Sequence, residues 1–134
     1  MKRVCVLLML SLSLLRGSEY SVVTAPQSGI DRLDARQLRD YFLQKRHFAG
    51  ATKVIPVNLL AQNRARIAFE TEVLHVNRDT LNRYWVKQHF QGVSPPLTQP
   101  SYAAVKRFVQ NVEGAVGYIP SKLVDNKVKV LYEF

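Results

Sequence analysis

Between residues 20 and 134 apolar positions recur with two periods, and polar or Pro/Gly-rich breaks separate them. Tyr20 to Thr24 is a β-branched run ended by Ala25-Pro26-Gln27-Ser28-Gly29, which predicts a first strand and a turn. Asp34 with Gln37 three residues on forms a capping box, Leu33 supplies a staple residue, and Leu38, Tyr41 and Phe42 share one face of the helix that follows. Arg36, Arg39 and Asp40 then fall on its solvated side. Val54 to Val57 reads as a second strand, and Pro56 places it at a sheet edge or ends it early. A helix starts within Leu60 to Asn63 and carries Ile67, Phe69, Val73 and Leu74. Another begins after Asn77 and sets Leu81, Tyr84 and Trp85 on one face. Trp85 is expected to be buried there, with truncation to Ala costing about 3–5 kcal/mol.

Gly92 to Pro100, with Pro95, Pro96 and Pro100, cannot continue a helix. Ser101 caps the next one, in which Val105, Phe108, Val109 and Val112 recur at helical spacing. Ala115 to Ile119 and Val128 to Tyr132 read as two further strands. The whole predicts an α/β domain: a mixed sheet flanked by helices.

The first eighteen residues follow a different rule. Lys2 and Arg3 precede twelve apolar or small residues, Val4 to Leu15, which give way to Arg16, Gly17 and Ser18, the pattern of a secretory signal peptide. The run is short for a membrane span, which needs about 20 residues. Residues 1–18 are therefore expected to be a signal peptide and 19–134 a single exported domain with no transmembrane segment, in the periplasm. Cys5, the only cysteine, leaves with the signal, so the remaining chain forms no disulfide. Removing Lys2, Arg3 and Arg16 takes the formal charge from +9 to +6. A basic surface attracts anions. Nucleic acid is a poor partner, because no aromatic and basic run offers a stacking platform.

Catalytic chemistry finds little support. His47, His75 and His89 lack metal-binding spacing, and Asn77 interrupts the helix on which Glu72, His75 and Asp79 would otherwise meet. The reading is no enzyme, no metal and no cofactor. Thr24, Gln27 and Ser28 after the first strand carry donor side chains in a turn whose free amides can form an anion nest, although turn chemistry alone accounts for them as well.

Tyr20 to Thr24, Leu38 to Arg46, Val54-Ile55-Pro56-Val57-Asn58, Tyr84-Trp85 through Phe90-Gln91-Gly92 with Pro95-Pro96, and Val105 to Val109 followed by Gly114-Ala115-Val116-Gly117-Tyr118-Ile119 run in order through nearly the whole domain. In these stretches the chain resembles short, single-lobe relatives of the periplasmic phosphate-binding proteins of ABC transporters, which have the type II periplasmic binding-protein fold. The resemblance implies one lobe of that fold, a small anion such as phosphate as ligand, and a link to ABC-type transport. The family's Ser-Gly-Thr at a helix start falls on Leu59 to Arg64, where this chain reads Leu-Leu-Ala-Gln-Asn-Arg and lacks the hydroxyls and the glycine. Asn58, Gln62, Asn63 and Arg64 remain as candidate contacts, Arg64 with the fork that suits phosphate, and an ordinary helix start explains the same residues. Without a second lobe, weak binding is expected. The alternative is a periplasmic interaction or structural module, bound to a protein partner, in which the solute site has decayed.

Overall fold

A computed structural model describes residues 18–134. The signal-peptide reading of residues 1–18 lies outside them except for Ser18. In chain order the elements are β1 (Tyr20–Thr24), α1 (Ala35–Phe42), β2 (Phe48–Ala49), β3 (Thr52–Lys53), β4 (Ile55–Leu59), α2 (Arg64–Phe69), a π-helical turn (Glu70–Leu74), α3 (Arg78–His89), β5 (Leu97–Gln99), α4 (Tyr102–Asn111), β6 (Ala115–Pro120), a 3-10 turn (Ser121–Leu123) and β7 (Lys129–Glu133). Strands β2 and β3 form a small hairpin, and the other five form a mixed sheet in the order β5-β4-β6-β1-β7. β4 runs parallel to β5 and β6, whereas β1 is antiparallel to both β6 and β7.

Side-chain alternation along β6 assigns the layers. A Cβ at Gly117 would stand 2.6 Å from Val105 Cγ1 and 3.4 Å from Val109 Cγ2, so α4 lies against that face closely enough to require glycine. Tyr118, next along, points to the other face and stacks on Phe69 with ring centroids 4.4 Å apart; Phe69 in turn packs on Phe42 at 4.6 Å. That face is covered by α1 and α2. Helices thus flank both sides of the sheet, and Val22, Val23, Val57, Val116, Ile119 and Leu131 fill the interior.

The helix starts form as their caps dictate. Asp34 and Gln37 close the capping box, with Asp34 Oδ1 accepting from Gln37 N at 2.8 Å and Gln37 Oε1 from Asp34 N at 2.9 Å. Asn77 Oδ1 accepts from Thr80 N at 2.8 Å, and Ser101 Oγ from Ala104 N at 3.1 Å. Gly114 turns the chain into β6 with φ +77°, and a Cβ there would meet Lys53 O at 1.9 Å, so this position needs glycine twice over.

Three expectations change. Pro56 does not mark an edge: β4 is second in the sheet. In a parallel strand alternate residues bond to opposite neighbours. Ile55 N donates towards β6, to Gly114 O at 2.9 Å, and the imino side of Pro56 faces β5, whose pairing begins only at Val57. Leu97–Gln99 is a strand despite the prolines around it, and it is β5 that occupies the edge. Trp85 is only half-buried: Leu81 is the one fully buried side chain of α3, and Ile67 of α2 is exposed.

Candidate functional site

In an open α/β sheet the crevice outside the carboxyl ends of parallel strands is where loops diverge and ligands find space. Here that end is formed by Leu59 of β4, Gln99 of β5 and Pro120 of β6. A cleft of about 420 Å³ lies there, lined by Ser18, Glu19, Tyr20, Arg64, Tyr102, Pro120, Ser121 and Lys122.

Each lining residue arrives by a separate route. β4 runs out at Leu59, Asn63 caps α2 by accepting from Ala65 N at 2.8 Å, and Arg64 follows as the first helical residue with an exposed side chain. Tyr102 opens α4 and donates its hydroxyl to Asn63 Oδ1 at 3.2 Å, tying the two helix starts together. Ser121 and Lys122 follow β6 directly, and Ser121 Oγ is 2.8 Å from Ser21 Oγ. Burial and the neighbouring Glu19 raise the Tyr20 phenol, while the Arg64 charge acts on it in the lowering direction. Two cations, two tyrosines and two serines thus line one opening, with Glu19 as the acidic member. The set offers charge-assisted donors for an anion.

The other sequence-derived candidates divide among three places. Asn58 Oδ1 accepts from the buried Tyr118 hydroxyl at 2.8 Å, which also lies 3.4 Å from Leu59 N, so Asn58 is a core clamp; burial holds the Tyr118 phenol far above its ordinary value. Gln62 faces a different cleft, of about 470 Å³, beside Thr71 and Arg78. That cleft is the larger of the two. Its charged side chains, Glu70 and Arg78, are already bonded to each other at 2.7 Å. At the helix start Asn63 N donates to Leu60 O at 3.0 Å and Ala65 N to the Asn63 side chain.

Thr24, Gln27 and Ser28 lie at the opposite end of the sheet. β1 is antiparallel to β6, so the end of β1 stands beside the start of β6, and Thr24 Oγ1 donates to Ala115 O at 2.9 Å. Ser28 Oγ lies 3.2 Å from Thr24 Oγ1 and accepts from Ile30 N at 3.4 Å. Gln27 and Ser28 line a cleft of about 300 Å³ with Gln110, Asn111 and Glu113. These residues and Arg64 do not form one site.

Tyr102, Ser121 and Lys122 were not singled out in the sequence. Their signal was positional: each begins the segment that follows a strand, where a parallel crossover gathers loops. Among the described residues no group of three or more His, Cys, Asp or Glu side chains is placed to hold a metal ion, and no helix is long and apolar enough to cross a membrane. His75 adopts a left-handed conformation at φ 52° between the π-helical turn and α3, which separates Glu72 from Asp79.

No protein-family model and no curated protein sequence matches the chain. Solved structures do. An ABC-type phosphate transport receptor from Vibrio cholerae superposes with TM-score 0.68 at 21% identity, covering 85% of this chain and 45% of the receptor. A putative phosphate ABC transporter substrate-binding protein with bound phosphate from Clostridium perfringens gives TM-score 0.69 at 18% identity, covering 85% and 44%. PstS from Borrelia burgdorferi gives 0.64 at 9% identity, covering 85% and 46%. This chain therefore spans less than half the length of each. At these identities the likeness is one of fold, and the fold is that of a single lobe resembling part of a phosphate-transport binding protein.

Proposed function

We propose that the chain is an exported, periplasmic solute-binding-like protein that engages phosphate or a similar small oxyanion weakly, in connection with ABC-type phosphate transport. The observation that carries this reading is the convergence of Arg64, Lys122, Ser121 and Tyr102 on one cleft at the carboxyl ends of the parallel strands. A doubly charged oxyanion there gains a guanidinium fork and an ammonium group. It remains open to water on the side away from the sheet, so each bond formed replaces hydration only in part. The resulting affinity is micromolar or weaker, on the order of 8 kcal/mol or less of binding free energy.

Isothermal titration of phosphate and of sulfate into wild type, Arg64→Ala and Lys122→Ala, at low and at physiological salt, tests it. Each variant is expected to weaken phosphate binding roughly tenfold or more, with some binding by wild type surviving at physiological salt. Binding that disappears for wild type at physiological salt would reduce the effect to nonspecific attraction by a basic surface. Affinity undiminished in the Arg64→Ala/Lys122→Ala double variant would place the site elsewhere.

A further inference from the structure

Charge along the chain is unevenly distributed. No acidic residue occurs between Asp40 and Glu70, nor between Asp79 and Glu113, and these two stretches together hold nine Lys or Arg. The rest of residues 18–134 holds seven cations against ten carboxylates, so a formal +9 in one part stands against −3 in the other. The two parts meet at the ion pairs Arg66–Glu70 and Lys106–Asp125. Strands β4 and β5 and residues 80–89 of α3 belong to the basic part.

Exposed apolar side chains follow the same division. Of the large apolar residues exposed among those described, Phe48, Leu60, Ile67, Val86, Phe90 and Leu97 lie in the two acid-free stretches, and only Leu123 lies outside them. On α3 the stripe Arg83, Val86, Lys87 and Phe90 lies on one helical face, with Asp79 one turn before Arg83 as its single carboxylate, and it is the face opposite Leu81, which carries the helix's buried contact. Val86 is 61% exposed and Phe90 85%, and Leu97 on the edge strand β5 is 57% exposed. Tyr84 fixes the flank of this helix, its hydroxyl donating to Leu43 O at 2.6 Å, and Lys45 Nζ sits 5.9 Å from the Tyr84 ring centroid. Lys45 therefore extends the basic surface beside the stripe, whereas Arg46 sits 5.5 Å from the Tyr41 ring centroid. None of Lys45, Arg46, Arg83 and Lys87 is in an ion pair among the described residues.

We infer that the exposed face of α3 is a docking face for an anionic lipid surface. Apolar side chains at the centre of a cationic helix face gain by entering the headgroup boundary while the flanking ammonium and guanidinium groups stay at phosphate depth. Each cation near an anionic leaflet strengthens association roughly fivefold. A second copy docking through the same face would bring like charges together, and the lipid surface removes that penalty. The oxyanion cleft is a separate matter: none of the stripe residues lines it.

Flotation of the purified protein with vesicles tests the inference, using phosphatidylcholine alone and phosphatidylcholine with about 30 mol% phosphatidylglycerol. The expected result is binding to the anionic vesicles only, weakened by salt and unaffected by added inorganic phosphate at millimolar concentration. Phe90→Ser should lower partitioning about tenfold, and Arg83→Glu/Lys87→Glu should abolish it. Leu123→Ser, on the other part of the surface, should leave it unchanged. Thermal melts of each variant should match wild type, because these side chains are exposed. Absence of binding, equal binding to both vesicle types, or binding insensitive to Phe90→Ser would overturn the inference. So would a doubling of mass in sedimentation velocity that Phe90→Ser removes, since the face would then serve a second copy.

Discussion

Replacing Glu70 by Gln should destabilise the protein by about 2–3 kcal/mol, and the reasoning is local. The Glu70 side chain is 7% exposed and accepts from Arg66 Nε at 3.0 Å and from Arg78 Nε at 2.7 Å. The two guanidinium groups pass the connection on, Arg66 Nη1 to Leu59 O at 2.9 Å and Arg78 Nη2 to Ala61 O at 2.7 Å. Gln preserves the volume and one acceptor oxygen but turns an NH₂ donor towards an arginine donor. One charge-assisted bond is lost, on the order of 1.5–3 kcal/mol, and a buried cation loses its counter-charge. Breaking a fully buried pair costs roughly 3–5 kcal/mol. The lower figure applies because Arg78, a third exposed at 34%, can turn to water, whereas Arg66, at 16%, has less freedom to do so. For a domain of this size the melting temperature should fall by roughly 10 °C.

Urea denaturation of wild type, Glu70→Gln, Arg78→Gln and the double variant measures the coupling, expected to be about 1 kcal/mol or more. Amide exchange at Asn63, whose N–H bonds to Leu60 O, should quicken in Glu70→Gln, since the loop from Leu59 to Ala61 loses its two arginine anchors. A stability change below about 0.5 kcal/mol, or coupling indistinguishable from zero, would refute the reasoning. Solvent would then already be screening the triad.

Two further outcomes follow from contacts elsewhere in the fold. Trp85→Ala should cost about 1–2 kcal/mol, less than for a core tryptophan, because the indole is half-buried against Tyr84 with ring centroids 4.9 Å apart; a loss above about 3 kcal/mol in a urea titration would mean that α3 is packed more tightly than its exposure implies. Lys106 Nζ donates to Asp125 Oδ2 at 2.7 Å and Lys127 N to Oδ1 at 2.9 Å, which holds the Asp125 carboxyl below the usual range, so its contribution to stability is present above the ordinary aspartate value and fades as pH falls through the lowered one. Carboxyl-carbon NMR titration should find the Asp125 midpoint moved upwards in Lys106→Ala, and an unmoved midpoint would show that the lysine contact is not what lowers it.

Elements governed by local chemistry were legible in advance. The capping residues Asp34, Asn77 and Ser101 start helices where the sequence places them, because a side-chain oxygen three residues before an amide acts whatever the surroundings. The first strand, Tyr20–Thr24, agrees residue for residue. What escaped depends on partners distant in sequence. Pro56 reads as an edge signal until one knows which side of β4 its imino group faces, and Leu97–Gln99 becomes a strand only because β4 offers it a ladder. Periodicity set Trp85 beside Leu81 but could not say that the indole is left half-exposed beside Tyr84. The cleft was half-legible: Asn63 and Arg64 were marked by their strand-to-helix position, whereas Tyr102 and Lys122 join them only through the crossover.

The placement of β1 has a consequence for the order in which the molecule comes together. Tyr20 and Phe134 exchange two backbone hydrogen bonds, 2.8 and 2.9 Å, and β1 lies between β6 and β7, the last strands of the chain. The first strand made is thus held only by the last two, and loop closure across nearly the whole described sequence must precede any of that pairing. Helices α1 to α4 can form early from their own caps, but until β7 has paired the sheet lacks its second edge and β1 lacks one flank. The central pairing of this domain is consequently non-local, and the Tyr20–Thr24 strand gains one partner with β6 and its second only with β7.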